Sequence, residues 1–253
     1  MEQRCGNSEG GGSFGASVAT VSCHPMDLSD LDTLPEKLQQ ILEPLSGERY
    51  DSCWLINNAG SLGPLGLASS IPGESSMKEL RKAIDLNVTS AMWVSSQFTK
   101  TFLTTSSTSS ETKSPLVRIV NISSLCAIDP FPTMSIYCAG KAGRDMFHSV
   151  LAKEHSSNSK QNDEEADDKE DESSRLEQKQ SFKVLNYAPG LCDTQMTDDL
   201  AGCSVLDDGL HKNITTSKQE STLVRSEDTA KKLVQILRLD EYESGSHVDY
   251  YDV

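Results

Sequence analysis

The chain has 253 residues, enough for one α/β domain with a sizeable core and too few to require a second. Its 38 acidic and 23 basic residues give a formal charge of −15, which argues against a nucleic-acid partner, because phosphate neutralisation needs clustered Lys and Arg. Residues 1–12 are polar and glycine-rich, and no run approaches the roughly 18 apolar residues of a membrane span, so no membrane partner is expected and the expected compartment is the cytoplasm. In chain order, 16–22 is a weak strand candidate and 31–42 a helix. A strand at 52–57 (SCWLIN) and a long helix at 77–103 follow. Residues 104–114, rich in Ser and Thr, read as a loop before the strand 116–122 (LVRIVNI) and the helix 135–154. Segment 156–181 holds nine acidic and four basic residues and one branched apolar residue, Leu176; it is expected to be a disordered acidic insertion. A strand at 182–187, a helix at 226–239 and a strand at 247–251 complete the alternation. Short apolar strands alternating with helices predict one α/β domain over 16–253, a Rossmann-like, doubly wound parallel sheet, after a flexible start at 1–15.

Seven cysteines, an odd number without C-x-x-C spacing, predict neither a disulfide framework nor a metal site. The strongest chemical signal is Ser124, thirteen residues before Tyr137, with Lys141 four residues further on. If residue 135 onward is helical, Tyr137 and Lys141 share a face one turn apart. A free phenol titrates near 10; a cation beside it is expected to lower that value and make Tyr137 a usable acid. Ser124, just past a strand, brings a hydroxyl to the carboxyl edge of the sheet, where ligands bind in open α/β folds. By itself Tyr-x-x-x-Lys is a common helical pattern, and a serine after a strand is usually a turn residue. Three further groups meet the same edge: Asn57-Asn58-Ala59-Gly60 ends one strand, Asn87 lies in the helix after it, and Pro189-Gly190-Leu191-Cys192-Asp193-Thr194 follows another strand.

Together these groups resemble the short-chain dehydrogenase/reductase family. The longer stretches 55–63, 121–127, 137–142, 184–190 and 245–249 are similar to members of that family that reduce pterins, and the resemblance covers 18–155 and 182–253. It implies NADPH as cofactor and reduction of pterin side-chain carbonyls, those of sepiapterin and 6-pyruvoyl-tetrahydropterin, on the way to tetrahydrobiopterin. It implies that Tyr137 donates the proton, Ser124 steadies the oxyanion, Lys141 tunes Tyr137 and holds the nicotinamide ribose, and Asn87 supports a proton relay. It places Asp27 at the adenine and Asn57, Ala59 and Gly60 along the cofactor. Cys192, Asp193, Thr194, Gln195, Met196 and Thr197 would close over the nicotinamide. Gly190 and Leu125 would line the substrate pocket, and Asp249 would anchor the pterin ring, a task that suits a carboxylate facing an amino-pyrimidine edge. A homodimer through the helices 77–103 and 135–154 is also implied.

The family begins with a strand, a glycine-rich turn and a helix, whereas only 26 residues precede Asp27. The formal G-x-G-x-x-G at 10–15 lacks the preceding strand and following helix that a phosphate cradle needs, so the front of the domain is expected to be missing. Three readings stay open on the residues: a pterin reductase, a carbonyl reductase of the same family with another substrate, and a non-catalytic binding or dimerising module.

Overall fold

Short runs of branched and apolar residues make the centre of the molecule. The structure, a computed structural model, describes residues 21–46, 48–71, 77–104, 115–161 and 181–253. In it β1 (Ser52–Asn57), β2 (Leu116–Ile122), β3 (Phe182–Ala188) and β4 (His247–Asp249) pair in parallel in that order. β4 stops two residues short of the expected 251, because the Tyr251 amide turns back to donate to the Asp249 carboxylate (3.0 Å).

Seven α-helices accompany the strands among the described residues: α1 (Leu34–Ser46), α2 (Met77–Ile84), α3 (Ser90–Thr104), α4 (Ser135–Gln161), α5 (Gln195–Ala201), α6 (Asp208–Gln219) and α7 (Ser226–Leu239). The helix expected at 77–103 is interrupted by one π-helical turn, Asp85–Thr89, which separates α2 from α3. Helix α4 continues to Gln161, six residues into the segment expected to be disordered; within it the Ser156 hydroxyl donates to the Ala152 carbonyl. Residues 162–180 lie outside the described residues, as do the flexible start 1–15, the glycine motif at 10–15 and residues 16–20 of the weak strand, whose Val21 and Ser22 are irregular. Sequence reading missed α5 and α6. Apolar spacing is sparse in α6, and what starts it is Asp207, whose carboxylate accepts from the Gly209 and Leu210 amides.

Alternation along the strands sorts the core into layers. Cys53, Val117, Ile119 and Val184 face Phe98 and Phe102 of α3 and Leu151 and Ala152 of α4. On the other face Val120, Leu185 and Tyr187 meet Leu233 and Leu237 of α7. Burying each such side chain contributes roughly 1.5–3 kcal/mol before conformational entropy is charged against it. A third cluster, Cys126, Met134, Tyr137, Leu200, Leu206 and Ile214, packs α5 and α6 over the carboxyl end of the sheet. At the opposite end Arg118, 3% exposed, donates to both carboxylate oxygens of Asp240 (3.2 and 2.7 Å) and to the carbonyls of Val117 and Ser181. β1 is an edge of the described sheet, with Trp54 and Ile56 exposed on its α7 side.

Candidate active site

The end of β2 sets the first group. The Ser123 amide donates to the Tyr187 carbonyl (2.7 Å), carrying the pairing with β3 one residue past the strand. Ser124 is then fully extended (φ −167°) and caps a short 3-10 turn, Leu125–Ala127, by accepting from the Cys126 amide (3.2 Å). Its hydroxyl is near enough to the Tyr137 phenol to favour the phenolate. Tyr137 and Lys141 stand one turn apart on α4, both buried, with the ammonium 5.6 Å from the phenol ring centre. Lys141 Nζ donates to the Ile122 carbonyl (2.7 Å), which ties it to the strand that leads into Ser124. The sequence-predicted trio is therefore assembled at one place.

Its protonation differs from the expectation. Tyr137 is not lowered by Lys141; burial pushes the phenol up to about 12, against which the nearby Ser124 hydroxyl and the Arg144 charge act. Lys141 is pushed down to about 7, first by burial and then by Arg144. Two buried groups in a site poor in solvent each favour their neutral form, and this outweighs their attraction.

Asn87 occupies the π-helical turn and is 1% exposed. Its side chain forms a two-way clamp: Oδ1 accepts from the Ser61 amide (2.9 Å) and Nδ2 donates to the Ser61 carbonyl (2.8 Å). These two bonds fix the turn after β1. Gly60 sits tightly in that turn, since a Cβ there would lie 3.1 Å from Asn87 Oδ1 and 3.9 Å from Lys141 Nζ. Asn57 is turned inward: its amide donates to Ser95 Oγ (2.7 Å), and its carbonyl accepts from Arg144. The Ala59 carbonyl is taken by the same guanidinium.

A second wall follows β3. Gly190 takes a positive φ (+77°), and a Cβ there would crowd Val224, Tyr250 and Tyr251. The loop behind it is pinned to 224: the Val224 amide donates to the Leu191 carbonyl and the Asp193 amide to the Val224 carbonyl. Cys192 Sγ donates to the Pro189 carbonyl (3.3 Å), and buried Thr197 donates to the Cys192 carbonyl (2.6 Å), so Thr197 holds the loop's shape. Asp193, Thr194 and Gln195 are exposed; Thr194 begins α5 without a capping bond from its hydroxyl, Gln195 bonds Asp199, and Met196 packs on the cluster around Tyr137. Leu125 is exposed beside Ser124. Asp249 is the register partner of Ala188, at the strand end next to Gly190. Asp27 stands apart in the loop before α1, exposed, its carboxylate held by the Ser29 hydroxyl and amide, which lower its pKa.

A model of the short chain dehydrogenase family matches residues 13–159, more than half of the chain. The chain belongs to the short-chain dehydrogenase family. It is 33% identical over 229 residues to sepiapterin reductase of Rattus norvegicus, covering 90% of this chain and 74% of that protein. It is 31% identical over 173 residues to benzil reductase ((S)-benzoin forming) of Bacillus subtilis, covering 68% of this chain and 58% of that one. In structure it resembles a variant of actinorhodin polyketide ketoreductase with NADPH, at a TM-score of 0.61 and 17% identity over 88% of this chain and 74% of that one. As a short-chain dehydrogenase the chain is an oxidoreductase with a Rossmann-like fold.

This short-chain dehydrogenase also carries a row of polar residues of which sequence reading singled out Asn57 alone. Asn57, Asn121, Asn186 and His247 are register partners in a single row across all four strands. Helix α4 answers them. Arg144 Nε donates to Asn121 Oδ1 (2.8 Å); Asp145 accepts from Asn121 (2.8 Å), Ser123 Oγ (2.6 Å) and His247 Nδ1 (2.7 Å). His148 pairs with Ser95 (2.9 Å) and the Arg144 carbonyl (2.8 Å), and burial lowers it to about 4. The signal was present, one polar residue at a matching place in three apolar strands, but register is needed to see that these residues align.

Proposed function

We propose that this chain is an NADPH-dependent reductase of pterin side-chain carbonyls, sepiapterin and 6-pyruvoyl-tetrahydropterin among them, in the making of tetrahydrobiopterin. The observation that carries the proposal is the gathering of Ser124 with the buried Tyr137 and Lys141 at the carboxyl edge of the sheet, the edge at which β4 ends with Asp249. The residues fit a dinucleotide's nicotinamide end: the Gly60 turn carries no side chain and packs closely beside Lys141, and the Thr194 hydroxyl is not spent on a cap. NADPH supplies the hydride; its choice over NADH rests on the resemblance to pterin reductases, and the ketoreductase named above was solved with NADPH. Tyr137, neutral at physiological pH, gives its proton to the carbonyl oxygen as the carbon is reduced, and the product is the alcohol. Ser124 donates to the same oxygen and stabilises its developing charge. Lys141 supports the phenolate left behind and returns a proton to it. Asp249 accepts paired hydrogen bonds from the pterin's amino-pyrimidine edge.

The test is Asp249→Asn measured on sepiapterin and on a small diketone such as benzil, with NADPH consumption followed at each. Pterin reduction falls at least about tenfold, the worth of roughly one charge-assisted hydrogen bond, while diketone reduction is kept. Equal loss on both substrates refutes the anchoring role, and a wild-type chain that reduces the diketone alone favours a broader carbonyl reductase, the reading suggested by the bacterial benzil reductase. We also assign the exposed apolar residues Trp93 of α3 and Met146 and Val150 of α4 to a homodimer face. Sedimentation of a Met146→Glu variant as a monomer supports this assignment.

A further inference from the structure

One buried charge near this site has no part in the chemistry above. Arg144 lies one turn beyond Lys141 on α4 and is 0% exposed, yet its guanidinium meets no carboxylate within ion-pair distance among the described residues. Its donors go instead to three places at the carboxyl edge: the Asn57 carbonyl (2.8 Å) and the Ala59 carbonyl (2.7 Å) in the turn after β1, and Asn121 Oδ1 (2.8 Å) near the end of β2. A planar fork with fixed donor directions suits this, because each bond constrains the other two. The same turn is gripped again by Asn87 at Ser61, and Gly60, between the two grips in sequence, has almost no room. Burying a guanidinium for hydrogen bonds to neutral carbonyls is costly. An apolar side chain would fill the space with less penalty, so stability alone does not account for it.

We infer that Arg144 is a positioning residue of the active site: it fixes the backbone of the Asn57, Ala59 and Gly60 turn against β2 and holds a permanent cation beside Lys141. This rests on the reductase reading only for what the turn contacts. The titratable groups facing Arg144 are Lys141, Asp145 and His148 of its own helix and the Tyr137 phenol; those facing it from β1 and β2 are neutral amides and carbonyls. Its charge disfavours a proton on Lys141 and favours the phenolate of Tyr137, so it acts on both members of the catalytic pair.

The experiment compares wild type, Arg144→Lys and Arg144→Met by three measurements. Amide exchange reads the Ser61 amide directly, NMR titration of 13C-labelled lysine reads Lys141, and fluorescence titration reads NADPH binding. Arg144→Met is expected to lose protection at Ser61 and to raise the Lys141 midpoint from about 7. It is also expected to lower kcat/KM roughly 100-fold, the cost of a small misplacement in a site. Arg144→Lys keeps the charge and loses the fork, so its Lys141 midpoint stays near wild type while Ser61 protection falls. Wild-type protection at Ser61 in either variant overturns the positioning role, and an unmoved Lys141 midpoint in Arg144→Met overturns the electrostatic one. If Arg144→Met fails to fold, protection in Arg144→Lys decides the first point and Lys141 titration in Arg144→Gln the second. A wild-type chain that binds no NADPH refutes the cofactor assignment and leaves the exchange and titration results to judge Arg144.

Discussion

The junction of α4 with β4 lends itself to a direct test through Asp145→Asn. Asp145 is 8% exposed and accepts from three donors, Asn121, Ser123 and His247, at 2.6 to 2.8 Å. The amide that replaces it has the same shape and one accepting oxygen. If that oxygen serves Asn121 and Ser123, the new amino group faces His247 Nδ1, which must then give up its proton there. His247 Nε2 is buried without a partner, so a proton moved to it gains nothing. The variant therefore loses the charge assistance of two hydrogen bonds and one ion pair, in all about 2–4 kcal/mol. The loss depends on pH with a definite sign. The hydrogen bond to Asp145 is the main cause raising the His247 pKa above 6.5, with Asp249 and Asp252 adding to it against burial. The pair's contribution is thus complete below the unfolded value near 6.5 and fades as pH rises through the folded value. Urea unfolding followed by the fluorescence of Trp54 and Trp93 should show the gap between wild type and variant widest at pH 6 and narrower at pH 9. A gap of the same size at both pH values refutes the pairing. Because Asp249 lies two residues beyond His247, the variant should also raise KM for the pterin more than it lowers kcat.

Three further outcomes are expected. Tyr137→Phe should reduce turnover about 100- to 10,000-fold while NADPH still quenches protein fluorescence; retained turnover would assign the proton to another group. Gly60→Ala places a methyl group 3.1 Å from Asn87 Oδ1, so it should weaken NADPH binding and cost about 1 kcal/mol in urea unfolding; unchanged binding would show that the turn does not approach the cofactor. Asp240→Asn keeps a residue tolerant of the left-handed backbone (φ 52°) and removes the charge opposite Arg118. It should destabilise by roughly 2 kcal/mol, below a fully buried pair because Asp240 is 32% exposed, with no change in KM, since it lies at the far end of the sheet.

What could be read from the sequence follows the physics of each element. β1 and β2 were predicted to the residue, because their apolar runs end at the residues whose side chains change character, and α7 likewise, because its apolar positions repeat at helical spacing behind an acidic first turn. Helices α5 and α6 escaped notice, since one is seven residues long and the other depends on a single capping aspartate. In the site, Ser124, Tyr137 and Lys141 were legible because their spacing alone puts them together once a strand end and a helix start are placed. Arg144, Asp145 and His247 were not, because their partners lie on other strands and only parallel register brings Asn121, Asn186 and His247 into line. Spacing also misjudged the chemistry of what it found. It supplies the cation beside the phenol but not the burial around both.

That burial bears on the proton state of the resting site. A phenol held near 12 is a poor base at neutral pH and an intact acid, which is the form a carbonyl reduction consumes. An ammonium held near 7 is close to half protonated, so it can pass a proton on without a large free-energy cost. Had Lys141 simply lowered Tyr137, as spacing suggests, the phenol would give up its proton more readily than the buried one does. Packing Tyr137 among Cys126, Met134 and Leu200 instead biases the empty site towards holding its proton. The groups that work against this bias are the Ser124 hydroxyl and the Arg144 charge, which both stabilise the phenolate. They become most useful after the proton has left. A pH profile of kcat for carbonyl reduction should then fall on its alkaline side as Lys141 loses its proton, well before Tyr137 does. A limb near the phenol's own value would place the controlling proton on Tyr137 alone.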